Sequence, residues 1–280
     1  MPRRFTAVVL AGDRNPHDPV AASANVLCKA LTPIDGTPMV VRVLNALASS
    51  HSIEASILCG PEWPAISHDK TLANRVLSGQ IRWIQPQATP SLSAYHAMAS
   101  VDRENPILLT TADHALIHPT LIDTFCDAAA ATSGDIAVGI ARHNIVQTAF
   151  PTTRRTAVQL QDGAYCGCNL FAFLTPQGRD AAKFWRRVER HRKNPIRIIG
   201  ILGWRTVFQY FLGRLSLTHT LARLSHKIGL TVHAIELPFP EAALDVDTVS
   251  DWALVQDIAR SFRPAQDPQH NQSLPTEGPE

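Results

Sequence analysis

The chain has 280 residues, 45% hydrophobic and 18% charged, with a net charge of +2. That is the composition of a globular protein, long enough to bury a substantial core as one domain or as one domain with an insertion. No apolar run approaches the roughly 20 residues of a membrane span; the longest candidate, Ile198 to Trp204, has seven.

In chain order, the pattern alternates strand and helix, which predicts a mostly parallel sheet covered on both faces. Strands are expected at 5–11, 53–59, 81–85, 106–111 and 135–141, with helices at 38–49, 67–78, 91–101 and 119–131. Pro119 early and Asp123 in the first turns suit the start of the fourth helix. After Ala141 the rhythm changes. Strands are expected at 155–160 and 168–174, with Asp162-Gly163 marking a turn between them. A basic helical insertion follows at about 176–229, then a returning strand at 230–236 and a last helix from about Val249 to Ser261. The domain is expected to span 1–262, with residues 263–280, rich in proline and poor in apolar side chains, as a disordered tail.

Charge is concentrated in the insertion. Residues 183–227 contain eleven Lys or Arg and one acid, Glu189, so the rest of the chain is about 8 charges negative. Apolar residues recur there at helical spacing, interspersed with arginines and with Trp185, Trp204, Phe208, Tyr210 and Phe211. One reading is a solvated basic face. The other is a surface for anionic lipid headgroups or an amphiphilic phosphorylated acceptor. The aromatics fall on the apolar faces and form no exposed stacking row, which argues against nucleic acid. The five cysteines (28, 59, 126, 166, 168) are an odd number and MPRRF runs straight into a core strand. Both features predict reduced thiols in the cytoplasm; the basic stretch 183–227 would place the protein peripherally at the inner face of the membrane. Cys166-Gly167-Cys168 lacks a second pair to complete a zinc site.

The segment from Phe5 to Met39 carries the strongest chemical signal. A buried strand runs into a loop at Gly12, and Lys29 follows seventeen residues later, ahead of Gly36-Thr37-Pro38-Met39. A phosphate site at the end of a parallel strand needs a glycine for close backbone approach and a cation for countercharge. An ordinary strand-to-helix loop with a surface lysine is the alternative.

LAG-x-R at residues 10–14, followed by K-x-L-x-P-I-x-G-x-P-M at 29–39, resembles the opening signature of the MobA-like nucleotidyltransferases. Leu108-Leu109-Thr110-Thr111-Ala112-Asp113-His114 resembles the central strand of that family, ending in an aspartate. Asp245-Val246-Asp247-Thr248-Val249-Ser250-Asp251-Trp252 resembles its closing segment. The resemblance spans roughly residues 5–260. It implies a Rossmann-like GT-A α/β fold, a mostly parallel mixed sheet with helices on both faces. It also implies a Mg²⁺-dependent enzyme that moves a nucleoside monophosphate from an NTP, GTP or CTP, onto a phosphorylated acceptor. The acceptor oxygen would attack the α-phosphorus in line and pyrophosphate would leave.

Carried over position by position, the resemblance makes Asp113 the magnesium aspartate, Asp247 the second metal ligand and Lys29 the phosphate-binding lysine. Leu10, Ala11, Gly12, Asp13 and Arg14 become the nucleotide loop. Ser93 is expected near base and ribose, and Arg155 and Asn169 lie in the half of the fold that receives the acceptor. Magnesium wants one or two carboxylates plus phosphate oxygens, and strand ends near the switch in strand order are where such ligands sit. Asp113 could instead be a turn or cap residue. Asp247 or Thr248 could cap the last helix, leaving Asp245 as the ligand. The chain departs from the family in keeping only Gly12 where members have LAGG-x-G-x-R-M, and in having Ala112-Asp113-His114 where they have Gly-Asp-Met-Pro. Two further readings stay open: a GT-A glycosyltransferase using Asp245-Val246-Asp247 as its D-x-D, and a non-catalytic nucleotide-binding module.

Overall fold

The computed structural model describes residues 4–13, 17–181 and 212–261. Its centre is an eight-stranded sheet built from β1 (Phe5–Leu10), β4 (Ile53–Cys59), β5 (Arg82–Ile84), β6 (Ile107–Thr111), β7 (Ile136–Arg142), β8 (Val158–Leu160), β9 (Gly163–Phe173) and β10 (Val232–Glu236). The order across the sheet is β10-β7-β9-β6-β1-β4-β5, with β8 paired to β9. The pairs β1·β4, β1·β6, β4·β5 and β7·β10 are parallel. β9 runs antiparallel between β6 and β7. A second, two-stranded sheet pairs β2 (Pro33–Ile34) with β3 (Thr37–Pro38).

The central strands β1 and β6 are largely apolar and buried because both faces are covered. Along β1 the side chains alternate between two cores: Ala7 and Val9 join one, Val8 the other. The first core is closed by α2 (Met39–Ser49), α3 (Trp63–His68), α4 (Lys70–Leu77), α6 (Pro119–Ala130) and α10 (Val249–Ser261), through Leu44, Ile66, Leu72, Phe125 and Val255 among others. The second core is covered by α5 (Pro90–Ala99) through Ala94, Ala97 and Met98, and by α9 (Leu217–Ile228) through Leu221, Leu224 and Ile228. The α/β architecture therefore matches the expectation, and β1, β4, β6, α2, α6 and α10 fall within a residue or so of their predicted spans.

Several boundaries moved for local reasons. The helix expected at 67–78 is two, because Asp69 accepts a hydrogen bond from the Leu72 N–H at 2.8 Å and caps a new start. α5 opens at Pro90, with Thr89 as its cap, a residue ahead of the expected helix. β9 begins at Gly163, five residues before the expected 168, because its hairpin with β8 turns tightly at Leu160↔Gly163. Three short elements were not foreseen: the β2–β3 pair, α1 (Pro19–Ser23) and α7 (His143–Ala149); α8 (Pro176–Asp180) opens the expected helical insertion. Of the basic insertion, α8 and α9 are described and residues 182–211 lie outside the described residues, as does the tail expected at 263–280. Among the described residues no helix is long and apolar enough to cross a membrane.

Candidate active site

At the carboxyl ends of β1, β4 and β6 lies a cavity of about 550 Å³. Its polar wall is made by three segments far apart in sequence. The first is the turn that carries Lys29. Ala30 and Leu31 are buried and pin a single 3-10 turn, Lys29–Leu31, to the core. The chain then makes the β2–β3 hairpin, where Asp35 and Gly36 both take positive φ, 49° and 77°, as a tight two-residue turn requires. Met39 starts α2 immediately after. The K-x-L-x-P-I-x-G-x-P-M motif is thus a device that holds one lysine at the strand ends.

The second segment follows β6. The Ala112 N–H bonds to the Leu10 carbonyl at 2.9 Å, extending the β1–β6 ladder to the residue before Asp113. The third precedes α10. Val246 is fully buried, and its N–H donates to the Asp113 carbonyl at 3.1 Å. That bond stitches the two acidic segments together.

Lys29, Asp113 and Asp247 meet in this cavity. The Lys29 Nζ lies 2.9 Å from Asp113 Oδ2 and 3.1 Å from Asp247 Oδ1. Burial disfavours the charge on Lys29, but the two carboxylates outweigh it and hold the ammonium above its ordinary range. Burial likewise pushes Asp113 up, and the facing Lys29 charge reverses this, so Asp113 sits below the usual carboxylate range. Its second oxygen, Oδ1, is buried with no donor at hydrogen-bonding geometry.

The α10 cap falls to Thr248. Its Oγ1 accepts from the Asp251 N–H at 3.1 Å, and Asp251 Oδ2 accepts from the Thr248 N–H at 2.9 Å, a reciprocal capping box. The Asp247 carboxylate is left to face Lys29. Asp245 is engaged elsewhere. One oxygen takes Arg155 Nη1 and the other takes Asn169 Nδ2 at 3.0 Å. Arg155 also donates to the Asp245 carbonyl at 2.6 Å and to Asp251 Oδ1 at 3.3 Å. Burial and the neighbouring Asp113 push Asp245 up to about 6, against the pull of Arg155 and Asn169. Asn169 reaches Asp245 because β9 bulges there. Between Val138↔Phe171 and Ile140↔Gly167, β9 advances four residues to two on β7, and Asn169 takes φ 49°.

Of the residues expected at the site, Leu10, Gly12, Asp13, Lys29, Ser93, Asp113, Asn169, Asp245 and Asp247 line the cavity. Ala11 is in the core beneath it, and Arg14 lies outside the described residues. Arg155 is not on the wall. Its charge is spent on Asp245 and Asp251, so it supports the site from behind. Asp13 also braces the wall. Its Oδ1 accepts the Lys29 backbone N–H at 3.2 Å, tying the β1 loop to the lysine turn. His114, in the loop between β6 and α6, is 1% exposed, and burial lowers it to about 4, so it is a neutral imidazole at pH 7. The sequence reading missed Asp18, Cys59, Gln87, Ala88, Thr89, Pro90 and Thr111 on the wall. Asp18-Pro19 and Thr89-Pro90 each pair a cap residue with a proline at the first helical position, a signal that could have marked both loops.

Residues 7–175 match the family model described as the MobA-like NTP transferase domain. Among solved structures, a hypothetical transferase from Thermus thermophilus is 27% identical with a TM-score of 0.73, over 89% of this chain and 99% of that one. The 4-diphosphocytidyl-2C-methyl-D-erythritol synthase of Anaerococcus prevotii is 11% identical with a TM-score of 0.54, over 92% of this chain and 97% of its own. A CMP:2-keto-3-deoxy-manno-octonic acid synthetase, solved in complex with CTP, is 12% identical with a TM-score of 0.53, over 92% and 98%. The last two likenesses are of fold alone. No protein of curated function matches the sequence significantly.

Proposed function

From the premise that the chain belongs to the MobA-like NTP transferase domain family, and so to the nucleotidyltransferases, we propose that it transfers a nucleoside monophosphate from CTP or GTP to a phosphorylated acceptor, releasing pyrophosphate. The observation that carries this is the convergence of Lys29, Asp113 and Asp247 in a nucleotide-sized cavity at the β1 and β6 ends. The cytidylyl chemistry in the names of the two fold neighbours favours CTP of the pair.

The residues fit a magnesium ion. Asp113 and Asp247 offer hard oxygens, and Asp113 Oδ1 has no other donor. Among the described residues no three His, Cys, Asp or Glu form a metal cluster; Mg²⁺ needs only one or two carboxylates when phosphate oxygens and waters complete its shell. Asp113 and Asp247 would hold it, and it would supply charge neutralisation for the phosphate chemistry. Asp245, with both oxygens engaged, is a support for the Asp247 segment and not a ligand. For the same reason Asp245-Val246-Asp247 does not act as a glycosyltransferase D-x-D.

The protein groups position and neutralise. Lys29 exchanges its carboxylate partners for the phosphates as the nucleotide enters, and its positive charge then faces the developing negative charge. Gly12 lets the triphosphate approach the β1 loop. Ser93, whose Oγ accepts the Gln87 N–H at 2.8 Å, shapes the nucleoside end. Asn169 faces the acceptor. The basic charge of 183–227 supports an anionic, amphiphilic acceptor at a membrane surface. Because α9 turns Leu221, Leu224 and Ile228 to the core, that contact would be electrostatic in its described part. The test is pyrophosphate release from each of the four NTPs with Mg²⁺ against a panel of phosphorylated acceptors, beside Asp113→Asn. Release with CTP or GTP that falls at least a hundredfold in the variant is expected. A response to sugar nucleotides alone overturns the proposal.

A further inference from the structure

We propose that Gly60, on the loop after β4, is a positioning residue that sets how deeply the β1 loop sits under the nucleotide. This rests on the reading of the cavity as an NTP site. Gly60 has φ +80°, and a Cβ built on it would lie 2.8 Å from the Gly12 nitrogen, 2.9 Å from Gly12 Cα and 3.1 Å from the Ala11 carbonyl carbon. All three are backbone atoms, so no side-chain rotation relieves the contact. On Gly12 itself a Cβ would meet Pro86 Cβ at 3.0 Å. Gly12 is therefore packed close to both Gly60 and Pro86, from the loops after β4 and β5.

Both loops are fixed to the sheet. The Ala11 N–H donates to the Cys59 carbonyl at 2.8 Å, and the Gly60 N–H donates to the Ile84 carbonyl at 3.0 Å. Gly12 and Cys59 line the cavity together. A loop with several glycines of its own can close on phosphates by its own freedom. This chain keeps one glycine in that loop, and the room for it comes from a glycine on the loop after another strand. A methyl group at position 60 would push Gly12 off the loop after β4 and toward the cavity, while Asp113 and Asp247, held by the segments after β6 and before α10, stay in place.

Gly79 provides the control. It has φ +78°, and a Cβ added there would meet nothing within 4 Å, so Gly79→Ala carries the same backbone strain without the collision. Binding of CTP and GTP with Mg²⁺ is measured by calorimetry for wild type, Gly60→Ala and Gly79→Ala, beside thermal melts. Both variants should melt a few degrees lower, and only Gly60→Ala should lose nucleotide affinity, by roughly tenfold or more for a displacement of several tenths of an ångström. Wild type that binds no NTP overturns the nucleotidyltransferase reading and this inference with it. Wild type that binds, with Gly60→Ala equal to it or matched by Gly79→Ala, overturns this inference alone. If Gly60→Ala does not fold, Gly12→Ala crowds the same point from the Pro86 side. It should lose affinity and regain it in the Gly12→Ala/Pro86→Gly double variant; no loss, or no recovery, overturns the inference.

Discussion

Replacing Lys29 by methionine should move two affinities in opposite directions. Asp113 Oδ2 lies 2.9 Å and Asp247 Oδ1 3.1 Å from one nitrogen, so those oxygens stand at most 6.0 Å apart. At an effective dielectric of about 20, two such charges repel by roughly 3 kcal/mol. Asp247, with 66% of its side chain exposed, screens much of that, leaving about 1 kcal/mol. The Asp113 contact is between side chains only 16% and 23% exposed, and a charged hydrogen bond of that kind contributes about 1.5–3 kcal/mol. Without the ammonium, a divalent ion entering the free protein no longer displaces a resident cation and relieves the repulsion. Its affinity should rise by about 2 kcal/mol, roughly thirtyfold. The triphosphate meanwhile loses its countercharge, and CTP or GTP should bind roughly thirtyfold more weakly. Mn²⁺ titration followed by electron paramagnetic resonance reads the first quantity without nucleotide, and calorimetry with Mg²⁺ reads the second. Both affinities falling, or Mn²⁺ binding that ignores the substitution, would refute the idea that this lysine and the metal compete for the same two carboxylates.

Arg155→Met should lower stability by about 3 kcal/mol, because it strands a buried Asp245 with Asn169 as its remaining partner. It should reduce kcat while leaving the acceptor KM within a few-fold; a rise in acceptor KM alone, with no loss of stability, would make Arg155 a direct acceptor ligand. Asp123, on α6, accepts from Ser50 Oγ at 2.5 Å and from the Ser52 N–H at 3.1 Å. Burial pushes its carboxyl up, but these donors and His51 outweigh that and hold it below the ordinary value. Its stabilisation, about 1–2 kcal/mol, is therefore present above the unfolded value of roughly 4 and lost as pH falls through the lower folded value. The gap between the denaturant midpoints of wild type and Asp123→Asn should be widest at pH 7 and begin to narrow below about pH 4; a gap as wide at about pH 2 as at pH 7 would count against this. Co-sedimentation should retain the full chain on anionic vesicles at low salt and release it at about 0.5 M salt; equal retention on neutral vesicles would end the electrostatic membrane contact.

What could be read from the sequence follows the physics of parallel sheets. Strands buried on both faces announce themselves as apolar runs, and their carboxyl ends must face the same edge, so Gly12 and Asp113 were marked by position alone. α7 was invisible because HNIVQTA buries only Val146 and so shows no apolar stripe. The 87–90 loop and Cys59 reach the cavity only because β4 lies beside β1 and β5 beside β4 in the sheet, an order that no single segment encodes. Asn169 needed a two-residue bulge to turn it toward Asp245, and bulges follow from cross-strand register, which is a property of two strands at once.

The D-x-D pair shows most plainly why local pattern stops short of chemistry. In Asp245-Val246-Asp247 the two carboxylates are equivalent by sequence, and either could have faced a cation. Val246 is fully buried and bonded to the Asp113 carbonyl, which anchors the segment, and the partners that each acid meets then tell the two apart. Asp245 meets a guanidinium and an amide from residues 155 and 169, and Asp247 meets Lys29. The assignment thus depends on an arginine 90 residues away in sequence. Arg155, read from sequence as a contact for the acceptor, is what frees Asp247 to be the one acid of the pair that shares Lys29 with Asp113.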